Sequence, residues 1–309
     1  MKEMIRTEGL TKVYNGKAIL NHVSLTVNKG EIYGFLGLNG AGKTTIIRIL
    51  LGMIKPTSGE VYIKGKKLTK GGGLWNHIGY IVEVPYAYPG FTVRENLKLY
   101  AKMRGIKDRK AVDSVMEKVY LTDYAETKAK DLSLGNAQKL GLAKALIHHP
   151  EILILDEPTN ALDPAGIVAV RELLKLLSSE GVTIFISSHI LEEMSRLASR
   201  IGIIHRGTLL QEISAHEFEN LRRKKLYVGV RGTATCAGEQ LAKAGYEASV
   251  TGDGMLEVLD ERAVRHPEHI ARLLADAGIP LYLLRVVEEE LESYFLNTVS
   301  GNPSKEQMR

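Results

Sequence analysis

The stretch "EIYGFLGLNGAGKTTIIRILLGM", residues 31–53, decides how the whole chain is read. Its first third is a β-branched and aromatic strand pattern, and from Thr44 onward apolar residues cluster as in a buried helix. Between them "GLNGAGKT" fits G-x-x-x-x-G-K-[ST] from Gly37 to Thr44, in the strand-then-helix setting that gives this pattern its meaning. Glycines let backbone N–H groups converge on the β- and γ-phosphates of a nucleotide, Lys43 adds a cation, and Thr44 offers an oxygen to Mg²⁺. The expected phosphate cradle is Gly37, Asn39, Gly40, Ala41, Gly42, Lys43, Thr44 and Thr45. A glycine-rich turn that bound nothing would have no use for the lysine, the hydroxyl and both flanking elements together.

A second stretch, "EILILDEP" from Glu151, is an apolar strand ending in two carboxylates. Asp156, at the carboxyl edge of a sheet, is placed to hold magnesium directly or through water. Glu157 beside it is the carboxylate that a general base needs to align and deprotonate a water attacking a γ-phosphate.

Outward from these two, strand patterns alternate with helical ones: "EILILDE" with "PAGIVAVRELLKLLSSEG", then "VTIFISSH" with "ILEEMSRLASR". The alternation argues for a mainly parallel α/β sheet covered by helices. "MIRTEGLTKVY", "KAILNHVSLTVNKG" and "GEVYIKGKKL" read as strands of an antiparallel edge. From Thr92 to about His149 the pattern turns helical, an inserted helical subdomain spanning about 86–149. The N-terminal domain runs over 1–220, and a basic cluster from Arg222 to Lys225 marks the boundary. Over 221–309 the order strand, helix, strand, Asp253-Gly254 turn, strand, helix, strand predicts a small α+β, ferredoxin-like domain. The helix "EEELESYFLNTV" and a polar tail follow it.

Composition narrows the function classes. At 309 residues and 44% hydrophobic content, a full core can be buried, and disorder is not the expectation. No apolar run approaches the ~18 residues of a membrane helix, and "MKEMIRTEG" lacks a signal peptide's apolar stretch, so a soluble, cytosolic chain is expected. The single cysteine, Cys236, excludes an internal disulfide framework and reads as a small core-facing side chain in a helix. A net charge of +5, spread along the chain, favours anionic partners only weakly.

With these residues in place, the sequence from Met4 to Glu217 resembles the ATPase subunit of an ATP-binding-cassette (ABC) transporter. "LSLGN" (Leu132–Asn136) stands in the place of that family's signature, "NALD" (Asn160–Asp163) in that of its D-loop, and His189 in that of its switch histidine. The resemblance implies a P-loop NTPase core and a homodimer in which two cassettes meet head to tail. Ser133 and the N–H of Gly135 of one copy would then close on ATP held by the phosphate loop of the other, with Asp163 in the same contact. By the same resemblance, Lys43, Glu157, His189 and Glu83 form the catalytic set, and Thr44, Glu83 and Asp156 hold Mg²⁺. Tyr14, one of 13 tyrosines, falls where the family places an aromatic ring under adenine.

Two departures from the family pattern matter. Leu134 replaces a small residue in the signature. Glu83 replaces a glutamine, trading a neutral oxygen and a donor for a charge that repels γ-phosphate oxygens, so altered, slower hydrolysis is expected. Together with "DEPTNALDP", this makes the chain similar to the bacitracin-resistance and lantibiotic-immunity branch, whose members export peptide antibiotics or related amphiphiles. The implied partner is a separate membrane permease, docked around Glu83 and the helices from Thr92 to Tyr120 with Tyr86, Tyr88 and Phe91 available for contact. No nucleic acid is implied, and the expected location is peripheral, on the cytoplasmic face of the cell membrane. Two alternatives stand beside the ATP-driven exporter: a nucleotide-gated soluble clamp and a weakly hydrolysing regulatory module.

Overall fold

A computed structural model of the chain describes residues 2–69, 74–83, 86–215, 217 and 224–288. It divides into two compact units, Met1–His216 and Glu217–Arg309.

The first unit opens with a long hairpin, β1 (Glu3–Tyr14) and β2 (Lys17–Asn28). Asn15 and Gly16 both take positive φ (48° and 76°), the conformation that two-residue turns between right-twisted strands require. With β4 (Ser58–Ile63) and β5 (Lys66–Lys67) this hairpin forms an antiparallel four-stranded sheet, ordered β2-β1-β4-β5. The expected antiparallel edge is thus a sheet of its own.

The central sheet has six strands, ordered β10-β9-β3-β8-β7-β6. These are β3 (Ile32–Leu36), β6 (Ile78–Ile81), β7 (Ile152–Asp156), β8 (Thr183–Ser188), β9 (Arg200–His205) and β10 (Thr208–Ser214). All neighbours pair parallel except β9 and β10. β3, β7 and β8 are buried throughout, which is why their sequences are continuous apolar runs rather than alternating ones. Phe185 of β8 packs against Tyr33 and Phe35 of β3, with ring centroids 5.7 and 5.4 Å away.

Among the described residues, the helices of this unit include α1 (Lys43–Leu50), α2 (Val93–Met103), α3 (Ala111–Lys118), α4 (Leu134–Leu146), α5 (Pro164–Ser179) and α6 (Leu191–Leu197). The run from Thr92 is helical as expected, and a capping box between Thr92 and Glu95 starts α2. Three strands escaped the pattern reading. β6 is four residues long, β9 is a short run buried through its middle rather than alternating, and in β10 a register shift between Leu209 and Gln211 interrupts the alternation.

In the second unit β11 (Lys224–Val230), β12 (Ala248–Val250), β13 (Leu256–Val258) and β14 (Leu281–Glu288) form an antiparallel sheet ordered β12-β13-β11-β14. With α7 (Ala234–Lys243), α8 (Glu261–Arg265) and α9 (Pro267–Asp276), this is the strand order of a ferredoxin-like unit. Leu226, Val228, Leu256 and Val258 bury one face of the sheet with Leu241, Ile270 and Leu274 of the helices. Cys236 corrects an expectation: it is exposed, because the buried positions of α7 are Ala237 and Leu241 and Cys236 lies off that face. Only Glu288 of the expected C-terminal helix falls within the described residues, as the end of β14.

Candidate active site

The phosphate loop connects the end of β3 to α1, and its glycines answer to space. A Cβ on Gly42, which has φ 110°, would lie 2.8 Å from Leu20 Cδ2 and 2.9 Å from the Ile19 carbonyl oxygen. One on Gly37 would lie 2.7 Å from Ile204. The loop is therefore pressed against β2 and β9 while Asn39 and Gly40 stand exposed at its tip. α1 has no side-chain cap and no acidic residue in its first turn. Its leading N–H groups and the positive end of its dipole are left for an anion. Thr44 and Thr45 lie half-buried in that turn.

Strand register brings the second stretch alongside. Asp156 pairs with Ser187 across β7 and β8, and Leu36 pairs with Ser188 across β3 and β8, so loop and carboxylates share the carboxyl edge of one sheet. Lys43 is 6% exposed, and its Nζ donates to the Gly37 carbonyl at 2.7 Å and lies 3.2 Å from Glu157 Oε1. Glu157 Oε2 accepts from Asn160 Nδ2 at 2.6 Å and lies 2.9 Å from His189 Nδ1. The Glu157 backbone takes φ 46°, and Ser187 Oγ accepts its N–H at 3.1 Å. Ser187 Oγ also lies 2.5 Å from Asp156 Oδ1, to which it donates. Ser187 and Asn160 were given no individual role in the sequence reading. Their signal was positional: a hydroxyl two residues before His189, and an amide three after Glu157.

Burial raises the Glu157 carboxyl, but the Asn160 hydrogen bond, the Lys43 charge and contact, and the His189 charge outweigh it and hold it below the ordinary carboxylate value. The ionised form is the one the fold favours. Its stabilising contribution is full above the ordinary value and lost as pH falls through the depressed one. The melting-temperature gap between the wild type and Glu157→Gln should therefore be present at pH 7 and close on acidification below about pH 4. A gap that widened in acid would contradict this geometry.

Glu83 lies beyond β6 at φ 56° and pairs with Arg48 of α1. Thr44, Glu83, Asp156, Glu157 and Asn160 line a cavity of about 300 Å³, joined by Leu134, Ala137, Gln138 and Ala161. The structure thus gathers the cradle, both carboxylates and Glu83. The signature serine is elsewhere: Ser133 is exposed at the start of α4, its hydroxyl accepting the Asn136 N–H at 3.2 Å, and Leu134 is 75% exposed. Gly135 lies under the D-loop, where a Cβ would come 3.3 Å from the Ala161 carbonyl. Asp163 caps α5 through the Gly166 N–H at 3.0 Å. Tyr14 is 46% exposed at the end of β1, with Lys12 Nζ 4.7 Å above its ring. Tyr86, Tyr88 and Phe91 are exposed, with successive ring centroids 5.6 and 5.5 Å apart.

A phosphate loop feeding α1, facing an Asp-Glu strand end that carries a histidine on its glutamate, defines a nucleotide triphosphate hydrolase. Residues 20–160 match the family model for ABC transporters. The chain is 42% identical to the bacitracin transport ATP-binding protein BcrA of Bacillus licheniformis, covering 97% of this chain and 99% of that one. It is 40% identical to the lantibiotic transport ATP-binding protein SrtF of Streptococcus pyogenes, over 71% of this chain and 94% of that one. The dimeric structure of the bacterial ABC transporter cassette MJ0796 superposes with a TM-score of 0.64 at 29% identity, covering 69% of this chain and 99% of that cassette. A post-hydrolysis state of the same cassette, bound to ADP and Pi, gives 0.64 at 28% identity, covering 69% of this chain and 99% of that one. The chain belongs to the ATP-binding subunits of ABC transporters, and it is an ATP hydrolase that energises transport. Among the described residues, no helix is long and apolar enough to cross a membrane.

Proposed function

We propose that two copies of this chain sandwich ATP and pass the resulting motion to a separate membrane permease that exports a peptide antibiotic or a related amphiphile. The observation that carries the site is the convergence of Lys43, Asn160 and His189 on the one carboxylate of Glu157. In this arrangement Lys43 and Glu157 neutralise each other before substrate arrives. A triphosphate in the cradle offers Lys43 a stronger anionic partner, which frees Glu157 to orient and deprotonate the attacking water. His189, held on Glu157 and 39% exposed, would contact the γ-phosphate. Tyr14, 46% exposed, would stack its ring on adenine.

The residues suit a magnesium ion. Asp156 is 6% exposed and one of its oxygens is occupied by Ser187, leaving the other as a hard ligand near Thr44 in the same cavity. Magnesium, when bound there, supplies neutralisation of charge on the β- and γ-phosphate oxygens. Thr44, Asp156 and Glu83 would hold it.

Exposure of Ser133 and Leu134 supports closure by a second copy, whose phosphate loop would receive the α4 N-terminus. The exposed aromatic group Tyr86, Tyr88 and Phe91 supports docking of the permease on the helical side. A likeness over nearly full length to a bacitracin transport protein supports the substrate class. Cells expressing this chain with its permease are expected to survive at least about fourfold more bacitracin or lantibiotic than cells with Lys43→Ala in its place. Equal survival would remove the peptide-antibiotic reading and leave the ATPase intact.

A further inference from the structure

Replacing glutamine by Glu83 leaves a charge problem. The cavity proposed to receive the triphosphate is lined by three carboxylates, Glu83, Asp156 and Glu157, and the buried cation Lys43 is already engaged with Glu157. Where no metal offsets it, an uncompensated Glu83 would face phosphate oxygens of the same sign. The helix period supplies an answer. Thr44 and Arg48 are four residues apart on α1, hence on one face, one turn from each other. A cation at Arg48 can therefore reach a carboxylate that sits close to Thr44, and its guanidinium does contact Glu83 Oε1. No other ion pair of Glu83 occurs among the described residues. The contact is half-exposed on the arginine side and largely exposed on the other, so its contribution to folding is small. Its effect is on the field inside the cavity.

We propose that Arg48 is a positioning residue for nucleotide binding: it holds the Glu83 carboxylate at the cavity rim and cancels its charge, which lets a glutamate occupy a glutamine position without expelling the triphosphate. The proposal rests on the nucleotide-site reading above. It assigns Arg48 a purpose only while Glu83 is acidic, so removing the Glu83 charge must offset the removal of Arg48.

The test is a double-mutant cycle on the full chain, read by binding of the fluorescent analogue mant-ATP without magnesium at low salt. Arg48→Gln should weaken binding about tenfold, the scale of one unit charge a few ångströms from a polyanion near a protein surface. Removing the Glu83 charge as well should restore it: the Arg48→Gln, Glu83→Gln double variant should bind within about twofold of the wild type. Arg48→Lys should keep most of the affinity, and the Arg48→Gln loss should shrink in high salt as screening shortens the field's reach. A double variant that binds no better than Arg48→Gln alone, or Arg48→Lys as weak as Arg48→Gln, would overturn the proposal by showing that Arg48 acts through helix structure or by direct phosphate contact. Lys43→Ala separates the two levels. If it binds mant-ATP like the wild type, the nucleotide site itself is misplaced; if it loses binding while Glu83→Gln fails to rescue Arg48→Gln, only the present inference fails. Both side chains lie at the surface, so the variants leave the core packing untouched.

Discussion

Glu157→Gln should abolish steady-state ATP turnover, by about 10²–10⁴-fold, while leaving nucleotide binding intact or tighter. The loss follows from the amide's inability to accept the proton of an attacking water. The retention of binding follows from the contact on Lys43. Nζ is shared between the Gly37 carbonyl and the Glu157 carboxylate, and a triphosphate must draw the lysine away from that charge. With glutamine there, the competing charge is gone and a local repulsion against the γ-phosphate disappears with it. ATP should then persist in the variant, and a dimer held by unhydrolysed nucleotide should accumulate, read as a doubling of mass in light scattering on addition of MgATP. A variant that hydrolyses at the wild-type rate would remove Glu157 from the reaction. One that stays monomeric while saturated with ATP would remove the sandwich.

Complementation between two dead variants gives the second large effect. Lys43→Ala removes the cradle's cation, and Ser133→Asp puts a carboxylate where a partner's γ-phosphate would sit. Aspartate is as good an N-cap as serine, so α4 keeps the cap that Ser133 now provides and the change is confined to the contact with phosphate. Each variant alone should be inactive. Mixed in equal amounts, half of the dimers pair a sound phosphate loop with a sound signature at one of their two sites, so about a quarter of the wild-type rate should return. If the sites were complete within one chain, mixing would return nothing. The cavity bears on this directly, because Leu134, Ala137 and Gln138 of α4 line it beside Thr44 whereas Ser133 does not. The serine is thus free to serve elsewhere.

Much of this was legible because it is local. Gly37–Thr44 is a strand end, a turn and a helix start in succession, and each residue type answers to a need of its own backbone: space at Gly42, an open N-terminus at α1, a charge at Lys43. The alternation of apolar strands with helices carried the parallel sheet, and the spacing of elements beyond Lys224 carried the second unit's strand order. Where the local signal was short or irregular it failed, as at β6 and at the β9–β10 hairpin. At Cys236 the helix was right and the face was wrong, since the seven consecutive small or polar residues Ala234–Gln240 on α7 give little indication of which side is buried.

By itself, then, the sequence determined that a triphosphate is bound and which residue types handle it, since those properties depend on neighbours along the chain. Only the tertiary structure decided what those residues do to one another. Strand register set Ser187 beside Asp156, a left-handed turn aimed Glu157 at Lys43 and His189, and the α1 face carried Arg48 to Glu83. Contacts between residues so far apart in the chain depend on how strands pair and how loops return, which hydrophobic periodicity does not encode.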